Sequence, residues 1–378
     1  MKILHIISSS GMYGAEAVIL NLSRILKERG HENLLAAFSN SSNPNLELHE
    51  RAQAEGIESH VIPCAGQVDR TAVTAIRDIA SRIGADVVHS HSFKSDVYVY
   101  PALRRTKIPI VATCHTWYDT DPMVTLYGKI DRLVLRGFVR VVAVSEEVKH
   151  RLLKAGVAAE KVSIVRNGID LRPFENAKPS LGDRGPADEM PMVGLIGRLS
   201  WEKGVEIYLL AAARVVAKFP YVRFVVVGEG PDRDKLEQSI DQLNLRSHVT
   251  MLGRRDDMPS VYASLDIMVS ASRQEGLPMA ILEGMASGLP LVATTVGEVP
   301  TVVQDGRTGI LVPPEDPARL ADAIEQLLRD SARRIAMGAA GRQLIREEYS
   351  ANRMADDYLK VYQEAVACVL QQSGGETR

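Results

Sequence analysis

Short apolar segments alternate with helix-like segments along the whole chain, and this alternation restricts the possible folds more than any other feature. Strand-like segments rich in β-branched residues, such as Ile3–Ile7, are separated by helix-like stretches such as Ala15–Arg29 and Ala72–Ile83. Strands that are apolar throughout are buried on both faces, as in parallel sheets covered by helices. The other predicted strands are Leu34–Ala37, Ser59–Ile62, Val87–Ser90, Ile110–Thr113, Val139–Val144, Val162–Val165, Met192–Ile196, Arg223–Val227, Val249–Leu252, Ile267–Ser270, Leu291–Ala293 and Gly309–Val312.

A polar interruption divides this pattern in two. The alternation stops near the turn dipeptide Asn167-Gly168, and residues 176–191 read NAKPSLGDRGPADEMP before it restarts. A chain of 378 residues has room for two domains of ordinary size. The sequence therefore predicts an α/β chain of two doubly wound, Rossmann-like domains that face a cleft, at residues 1–175 and 176–352. The last segment, from about residue 353 to 378, is predicted to be a helix with no strand after it.

The charge and cysteine content argue against several classes of protein. The formal net charge is −2, so bulk attraction to nucleic acid is not expected. Residues 1–180 carry 23 Lys and Arg against 19 Asp and Glu, and the remainder carries 22 against 28. The three cysteines lie far apart, which favours a reducing compartment over a disulfide framework. No apolar run reaches about 18 residues, so no membrane-spanning helix is predicted, and the start MKILHIISSS indicates a first strand rather than a signal peptide.

Two carboxylates bracket a turn and a helix start at residues 273–291, which read RQEGLPMAILEGMASGLPL. Glu275 precedes the turn Gly276-Leu277-Pro278, and Glu283 lies about one and a half turns into the helix. Pro278 suits the first helical position, where a missing N–H costs nothing. The free N–H groups of Leu277, Met279 and Ala280 would then form an anion site. Carboxylates only accept hydrogen bonds, so vicinal hydroxyls of a sugar or ribose are natural partners. A surface helix with two solvated glutamates is the alternative interpretation.

Two cations follow the predicted strand Met192–Ile196. Arg198 and Lys203 fall in the connection between that strand and the next helix, where ligands bind in open α/β sheets. Together they could neutralise a diphosphate without a metal, Arg198 as a bidentate fork and Lys203 as a point charge. Basic residues that serve solubility are the alternative.

Small-residue turns follow two other strands. Ile3–Ile7 leads into a turn that ends at Gly14, and Gly228-Glu229-Gly230-Pro231 follows Arg223–Val227. Both arrangements suit the approach of a phosphate to the backbone. The fingerprint G-x-G-x-x-G is absent, however, since Arg233 stands where the third glycine would fall. This argues against a nicotinamide-dependent dehydrogenase.

Histidines end two predicted strands of the first domain. Cys114 and His115 are adjacent, so they point to opposite faces, which makes Cys114 a packed thiol and aims His115 at the cleft. His89 and His91 share a face and are expected to line the cleft. A metal site that combines them with His115 is a weaker alternative, because no Cys or acidic ligand stands beside them.

Two further patterns invite alternative interpretations. The triplets Asp119-Thr120-Asp121 and Asp232-Arg233-Asp234 resemble metal-binding triplets, but solvated loops are favoured, with a surface helix beginning at the second triplet. Residues 127–140 read YGKIDRLVLRGFVR, which places basic residues at helical spacing among apolar ones. This predicts either a helix on an anionic membrane or a solvated helix face. The basic residues are Lys129, Arg132, Arg136 and Arg140.

The combination of Arg198 with Lys203, the Gly228–Pro231 turn and Glu275 with Glu283 resembles the donor half of family-4 retaining glycosyltransferases of the GT-B fold. The layout of the first domain is similar as well, so the resemblance covers almost the whole chain. The family usually has Gly-Gly-x-Glu at the first turn, whereas here Tyr13 replaces the first glycine and Gly14 fits the second.

The resemblance implies transfer of a sugar from a UDP- or GDP-sugar, with retention of configuration and without metal or cofactor. It assigns the nucleotide sugar to the second domain, the acceptor to the first, and a return of the C-terminal helix to the first. His115, Arg198, Lys203 and Glu275 are the catalytic candidates. The donor-binding candidates are Gly14, Gly228, Arg254, Gly276, Leu277, Pro278, Met279 and Glu283.

Other functions stay open at this point. A nucleotide-sugar epimerase, a sugar phosphorylase and a non-catalytic nucleotide-sugar-binding protein share this type of fold. The predicted partners are a nucleotide sugar and a carbohydrate or lipid-linked acceptor, without nucleic acid. A cytoplasmic location is expected, with peripheral contact at the inner membrane face if the basic segment binds anionic lipid.

Overall fold

A computed structural model describes residues 1–9, 11–12, 14–39, 44, 46–64, 69–115, 130–182 and 190–374. Tyr13, the triplet Asp119–Asp121 and Lys129 lie outside the described residues. The chain forms two compact units. One comprises Met1–Gly168 together with the residues from Ala351 onward, and the other comprises Ile169–Ser350. The boundary between the first and second units thus lies after Gly168, whereas the sequence pattern predicted it after residue 175.

The first unit is built on a parallel sheet of seven strands in the order β3-β2-β1-β4-β5-β6-β7. The continuous apolar strands are buried between helices, as their composition predicted. The strands are β1 (Lys2–Ile7), β2 (Glu32–Ser39), β3 (Glu58–Pro63), β4 (Val87–His91), β5 (Ile110–Cys114), β6 (Arg140–Ala143) and β7 (Val162–Ile164). The helices are α1 (Gly14–Glu28), α2 (Glu47–Ala54), α3 (Arg70–Ile83), α4 (Phe93–Leu103) and α5 (Glu146–Lys154), and residues 130–135 are also helical.

The second unit repeats this plan with six parallel strands in the order β10-β9-β8-β11-β12-β13. Its strands are β8 (Met192–Ile196), β9 (Arg223–Val227), β10 (Val249–Gly253), β11 (Ile267–Ser270), β12 (Leu291–Thr294) and β13 (Gly309–Val312). Its helices are α6 (Arg172–Glu175), α7 (Val205–Val216), α8 (Arg233–Gln242), α9 (Met258–Ala263), α10 (Met279–Ala286), α11 (Val299–Val302), α12 (Pro317–Arg329) and α13 (Ser331–Glu348). The predicted α/β class with two Rossmann-like sheets is therefore confirmed.

The last helix, α14 (Ala351–Gly374), belongs to the first unit, although it follows the second in the sequence. It packs against α1, β4 and β5. Tyr358 and Tyr362 are buried, and their hydroxyls lie 3.1 Å from Thr113 Oγ1 and 2.7 Å from His89 Nδ1. Arg29, which directly follows α1, donates to Asp356 at 2.6 Å.

Each sheet contains one point at which the order of strands reverses. The chain builds β1, β2 and β3 outward in one direction and then places β4 on the other side of β1. In the second unit the same reversal places β11 beside β8. Ligands of doubly wound sheets bind beyond the carboxyl ends of the strands at such a reversal. A ligand-binding site is therefore expected at the loops that follow β8 and β11.

Candidate functional site

The predicted residues Lys203 and Glu275 lie close to each other and to Ser272, beyond the carboxyl ends of β8 and β11. Lys203 Nζ lies 2.5 Å from Glu275 Oε1, and Ser272 Oγ donates to the same oxygen at 2.7 Å. The Glu275 side chain is only 9% exposed, so its charge is held by these two donors rather than by solvent. An ammonium has three donors. Lys203 can therefore contact Glu275 and still donate to an anion bound in front of it.

Close backbone packing fixes the loop that carries Lys203. Gly204 has φ +61°, and a Cβ there would lie 2.1 Å from the carbonyl oxygen of Ala271. Gly228 has φ +137°, and a Cβ there would lie 1.9 Å from the carbonyl oxygen of Gly197. Only glycine fits both the backbone angle and the space. The loops after β8, β9 and β11 are thus held directly against one another.

The start of α10 differs by one residue from the sequence prediction. Pro278 was predicted at the first helical position, but it occupies the N-cap with extended backbone angles, and the helix begins at Met279. Leu277 therefore lies before the cap, and its N–H is not part of the helix start. The N–H of Ile281 bonds to the carbonyl of Pro278 at 3.1 Å. The amides of Met279 and Ala280 remain as the donors at this helix end.

Glu283 lies within α10 and is partly buried. The hydroxyl of Tyr262 on α9 donates to Glu283 Oε2 at 2.8 Å. Burial raises the pKa of Glu283 to about 7, and the Tyr262 hydrogen bond opposes that rise. Glu283 is therefore a carboxyl group whose charge changes near neutral pH.

The two predicted arginines of this unit are exposed. Arg198 follows β8 directly after Gly197. Arg254 follows β10 directly. Sequence reasoning missed Arg273, which donates to the carbonyl of Trp201 at 2.6 Å and forms ion pairs with Glu206 and Glu315. It also missed Ser272 and Tyr262, because no spacing links them to the carboxylates that they contact.

His115 follows β5 in the first unit and is largely buried. Its ring stacks on that of His91, with centroids 5.8 Å apart and an interplanar angle of 27°. Burial lowers the pKa of His115 to about 4, so the imidazole is neutral at physiological pH. Cys114 is buried, as predicted, and burial raises the pKa of its thiol. Gly14 is exposed and begins α1, after the turn that follows β1.

The prediction that His89 and His91 line a cleft is wrong, because both are fully buried. They lie beside His5, and the candidate ligand atoms of these three residues are within 4.8 Å of one another. His91 Nε2 is 3.1 Å from His5 Nδ1. His89, however, has hydroxyl groups 2.7 Å from both ring nitrogens, those of Tyr362 and Thr113. The arrangement favours a hydrogen-bonded core cluster over a metal centre, which needs three or four free ligand atoms.

The predicted basic helix over residues 127–140 is also wrong in part. The described helical residues end at 135, and Arg140 begins strand β6. Arg136 donates to the carbonyl of Ala155 at 2.7 Å, and Arg140 lies 3.3 Å from Glu364. These cations therefore stabilise the fold rather than line one helix face. The apolar side chains of Ile130 and Leu133 are exposed on the short helix that remains.

Two further observations concern the second acidic triplet and the question of a membrane-spanning helix. Asp232 precedes α8, as predicted for the second acidic triplet, and Arg233 within the triplet pairs with Glu229 and Glu237. No helix in the described part of the chain is long and apolar enough to span a bilayer.

Comparison with known proteins identifies the family. Residues 12–172 match Glycosyltransferase Family 4, and residues 190–330 match Glycosyl transferases group 1. Alpha-D-kanosaminyltransferase of Streptomyces kanamyceticus is 31% identical over 307 residues, which cover 76% of this chain and 78% of that protein. N-acetyl-alpha-D-glucosaminyl L-malate synthase of Bacillus anthracis is 26% identical, with 95% of both chains covered.

Solved structures agree on the fold. The crystal structure of Anabaena HepE in complex with UDP and glucose has a TM-score of 0.81 at 22% identity, and covers 96% of this chain and 99% of that one. This chain belongs to the family-4 glycosyltransferases and has the GT-B fold. It is an enzyme of the hexosyltransferase type, as the sequence motifs predicted.

Proposed function

We propose that this glycosyltransferase moves a sugar from a UDP- or GDP-sugar to a glycan, lipid-linked or small-molecule acceptor, with retention of configuration and without a metal. The observation that carries the proposal is that Lys203 and Ser272 both donate to Glu275 at the reversal point of the second sheet. A cation, a carboxylate and the start of α10 thus lie at one end of the sheet. The presence of UDP in the HepE structure supports a nucleotide donor.

The donor roles follow from the chemistry of each group. Lys203 and the exposed Arg198 would hold the diphosphate and stabilise the charge that develops as it leaves. The amides of Met279 and Ala280 would donate to phosphate or sugar oxygens. Glu275 would accept from sugar hydroxyls and Glu283 from the ribose hydroxyls. Gly14, Gly228, Arg254, Gly276, Leu277 and Pro278 stay predicted donor contacts.

Retention is proposed from the family resemblance. The bond between the anomeric carbon and the phosphate oxygen breaks, and the acceptor oxygen bonds to the same face of that carbon. The acceptor proton passes to the departing phosphate, which acts as the base. Arg198 and Lys203 would then offset the negative charge of the leaving group without a divalent ion.

The first unit is assigned to the acceptor. His115, neutral at physiological pH, is proposed to contact the donor sugar near its reacting carbon. A cytoplasmic location and peripheral contact with anionic membrane stay predictions. The exposed Ile130 and Leu133 supply apolar contacts for such a membrane surface.

A panel of nucleotides and nucleotide sugars tests the proposal by thermal shift. A ligand at 100 times its dissociation constant stabilises the folded state by about 2.7 kcal/mol. We expect stabilisation by UDP or GDP and their sugars, and its loss in Lys203→Ala. Lys235→Ala is the matched control, because Lys235 is an exposed lysine on α8 of the same unit. Absence of binding to every nucleotide, or equal loss in both variants, would contradict the proposed donor site.

A further inference from the structure

Tyr262 is a fully buried tyrosine whose polar atom is directed at the donor site. Its side chain is 0% exposed, and its hydroxyl donates to Glu283 Oε2 at 2.8 Å. The carbonyl of Ala280 lies at 3.4 Å, which is a much weaker contact. A phenol holds its hydroxyl in the plane of a rigid ring, so a buried tyrosine fixes the position of its acceptor. Tyr262 therefore restrains one oxygen of Glu283.

Phe174 in turn restrains the ring of Tyr262. The two ring centroids are 6.0 Å apart with an interplanar angle of 62°, an edge-to-face contact. Phe174 lies on α6, which packs against α9 and α10. A chain of contacts thus runs from α6 through Tyr262 to the carboxylate on α10. The other oxygen of Glu283, Oε1, has no hydrogen-bond partner in the described part of the chain.

Several charged groups on the elements that pack around Glu283 have other partners. The elements packed on α10 are α6, α9, α13 and β12. On α6, Arg172 bonds to Asp170. On α13, Arg334 donates to the carbonyl of Leu327 and Arg346 lies 3.8 Å from Glu175, while Arg333 and Arg342 are not among the groups that shift the pKa of Glu283. At the start of α9, Arg255 and Asp257 pair with each other at 2.7 Å. Among the residues that the structure describes, Tyr262 is thus the titratable group in contact with Glu283.

We propose that Tyr262 is a positioning residue of the donor site, which holds Oε2 of Glu283 and leaves Oε1 to accept hydrogen bonds from the ribose of the bound nucleotide. The inference rests on the proposed function, because the ribose is the ligand that the proposed donor assigns to Glu283. A protonated carboxyl group would offer a donor in place of one acceptor. Tyr262 favours the ionised form of Glu283, so its loss weakens nucleotide binding most where Glu283 is partly protonated.

Tyr262→Phe tests the proposal, since it removes the hydroxyl and keeps the ring that packs on Phe174. We expect calorimetry with UDP and GDP to show affinity that falls as the pH drops through about 7 in the wild type. In Tyr262→Phe the same fall should occur at higher pH, with roughly tenfold weaker binding at pH 7, the loss expected for a hydrogen bond to a charged group. At pH 9 the two proteins should differ much less. A loss that is equal at every pH would show a merely structural role and overturn the proposal.

Tyr208→Phe is the matched control. Tyr208 is equally buried in the same unit, and its hydroxyl donates to the backbone carbonyls of Val193 and Val225. We expect this variant to lose thermal stability without any change in the pH dependence of nucleotide binding. A shift of equal size in Tyr208→Phe would contradict the role assigned to Tyr262.

A measurement without ligand separates this inference from the proposed function. Ionisation of the partly buried Glu283 destabilises the fold, so the pH dependence of the unfolding temperature reports its titration. Tyr262→Phe should move that dependence to higher pH, and Tyr208→Phe should not. If the wild type binds neither UDP nor GDP, the proposed function fails and the ribose role with it. If it binds UDP or GDP and neither pH dependence moves in Tyr262→Phe, only the positioning role is refuted.

Discussion

Replacement of Glu283 by Gln should raise the free energy of unfolding of the ligand-free enzyme and strongly reduce its affinity for nucleotide. Glutamine has the shape of glutamate, and its side-chain oxygen can still accept from Tyr262. Burial raises the pKa of Glu283 from 4.5 to about 7. The folded-state pKa therefore exceeds the unfolded value, so ionisation of Glu283 opposes folding. This cost is absent below pH 4.5, grows as the pH rises, and is fully present above pH 7.

The size of the effect follows from the same pKa. One pKa unit corresponds to about 1.4 kcal/mol, so a rise from 4.5 to about 7 costs about 3 kcal/mol at high pH. Glu283→Gln removes this cost at pH 8 and changes little near pH 5. For a unit of this size, each kcal/mol shifts the unfolding temperature by roughly 2–4 °C. We expect an increase on the order of 6–12 °C at pH 8.

Scanning calorimetry at pH 5 and pH 8 measures this difference, and titration with UDP and GDP measures the accompanying loss of affinity. Glu348→Gln is the control, since Glu348 is an exposed glutamate on α13 of the same unit. It should leave both quantities unchanged. The reasoning is refuted if Glu283→Gln gives no stabilisation at pH 8, or the same stabilisation at both pH values.

Three further predictions concern catalysis and binding. Arg198→Ala or Lys203→Ala should lower turnover by roughly 10²–10³, as the loss of a charge that stabilises the transition state does. The wild type should stay active in the presence of EDTA. Full activity in either variant would count against the leaving-group role. Glu283→Ala should weaken binding of the free nucleoside diphosphate, whereas Glu275→Ala should chiefly reduce turnover with the nucleotide sugar. Equal losses in calorimetry would refute that division of roles. Sedimentation with anionic vesicles should reveal weak, salt-sensitive binding that Leu133→Ser reduces, and no binding at low salt would remove the membrane prediction.

The positions of the strands could be predicted because a buried parallel strand leaves a local signal. Met192–Ile196 and Gly309–Val312 were predicted with the ends that the structure gives. The N-terminal end of α10 was misplaced by one residue, since Pro278 is compatible with both the N-cap and the first helical position. Local composition does not distinguish these two positions.

Features that depend on distant contacts could not be predicted. The buried His89 is hydrogen-bonded to Tyr362, which lies 273 residues away on α14. The basic segment was interpreted as one helix because its basic residues have helical spacing. The helix instead ends at residue 135, and the backbone at Gly137 packs so closely on Tyr100 that a Cβ there would lie 2.2 Å from its ring. The chain turns there and enters β6. The partnership of Tyr262 with Glu283 likewise has no sequence signature, since it joins two helices across 21 residues.

The two ends of the second unit lie side by side. Ile169 forms a parallel bridge with Ser350, and its N–H donates to the carbonyl of Tyr349 at 2.9 Å. Residues 169–350 are therefore one uninterrupted segment with adjoining entry and exit points, the geometry that tolerates transplantation between hosts. The first unit is different, because residues 1–168 alone would lack the helix that covers His89 and Thr113. The second unit should therefore be exchangeable between related enzymes. A hybrid that joins it to the first unit of a related enzyme should have the donor preference of the enzyme that supplied the second unit.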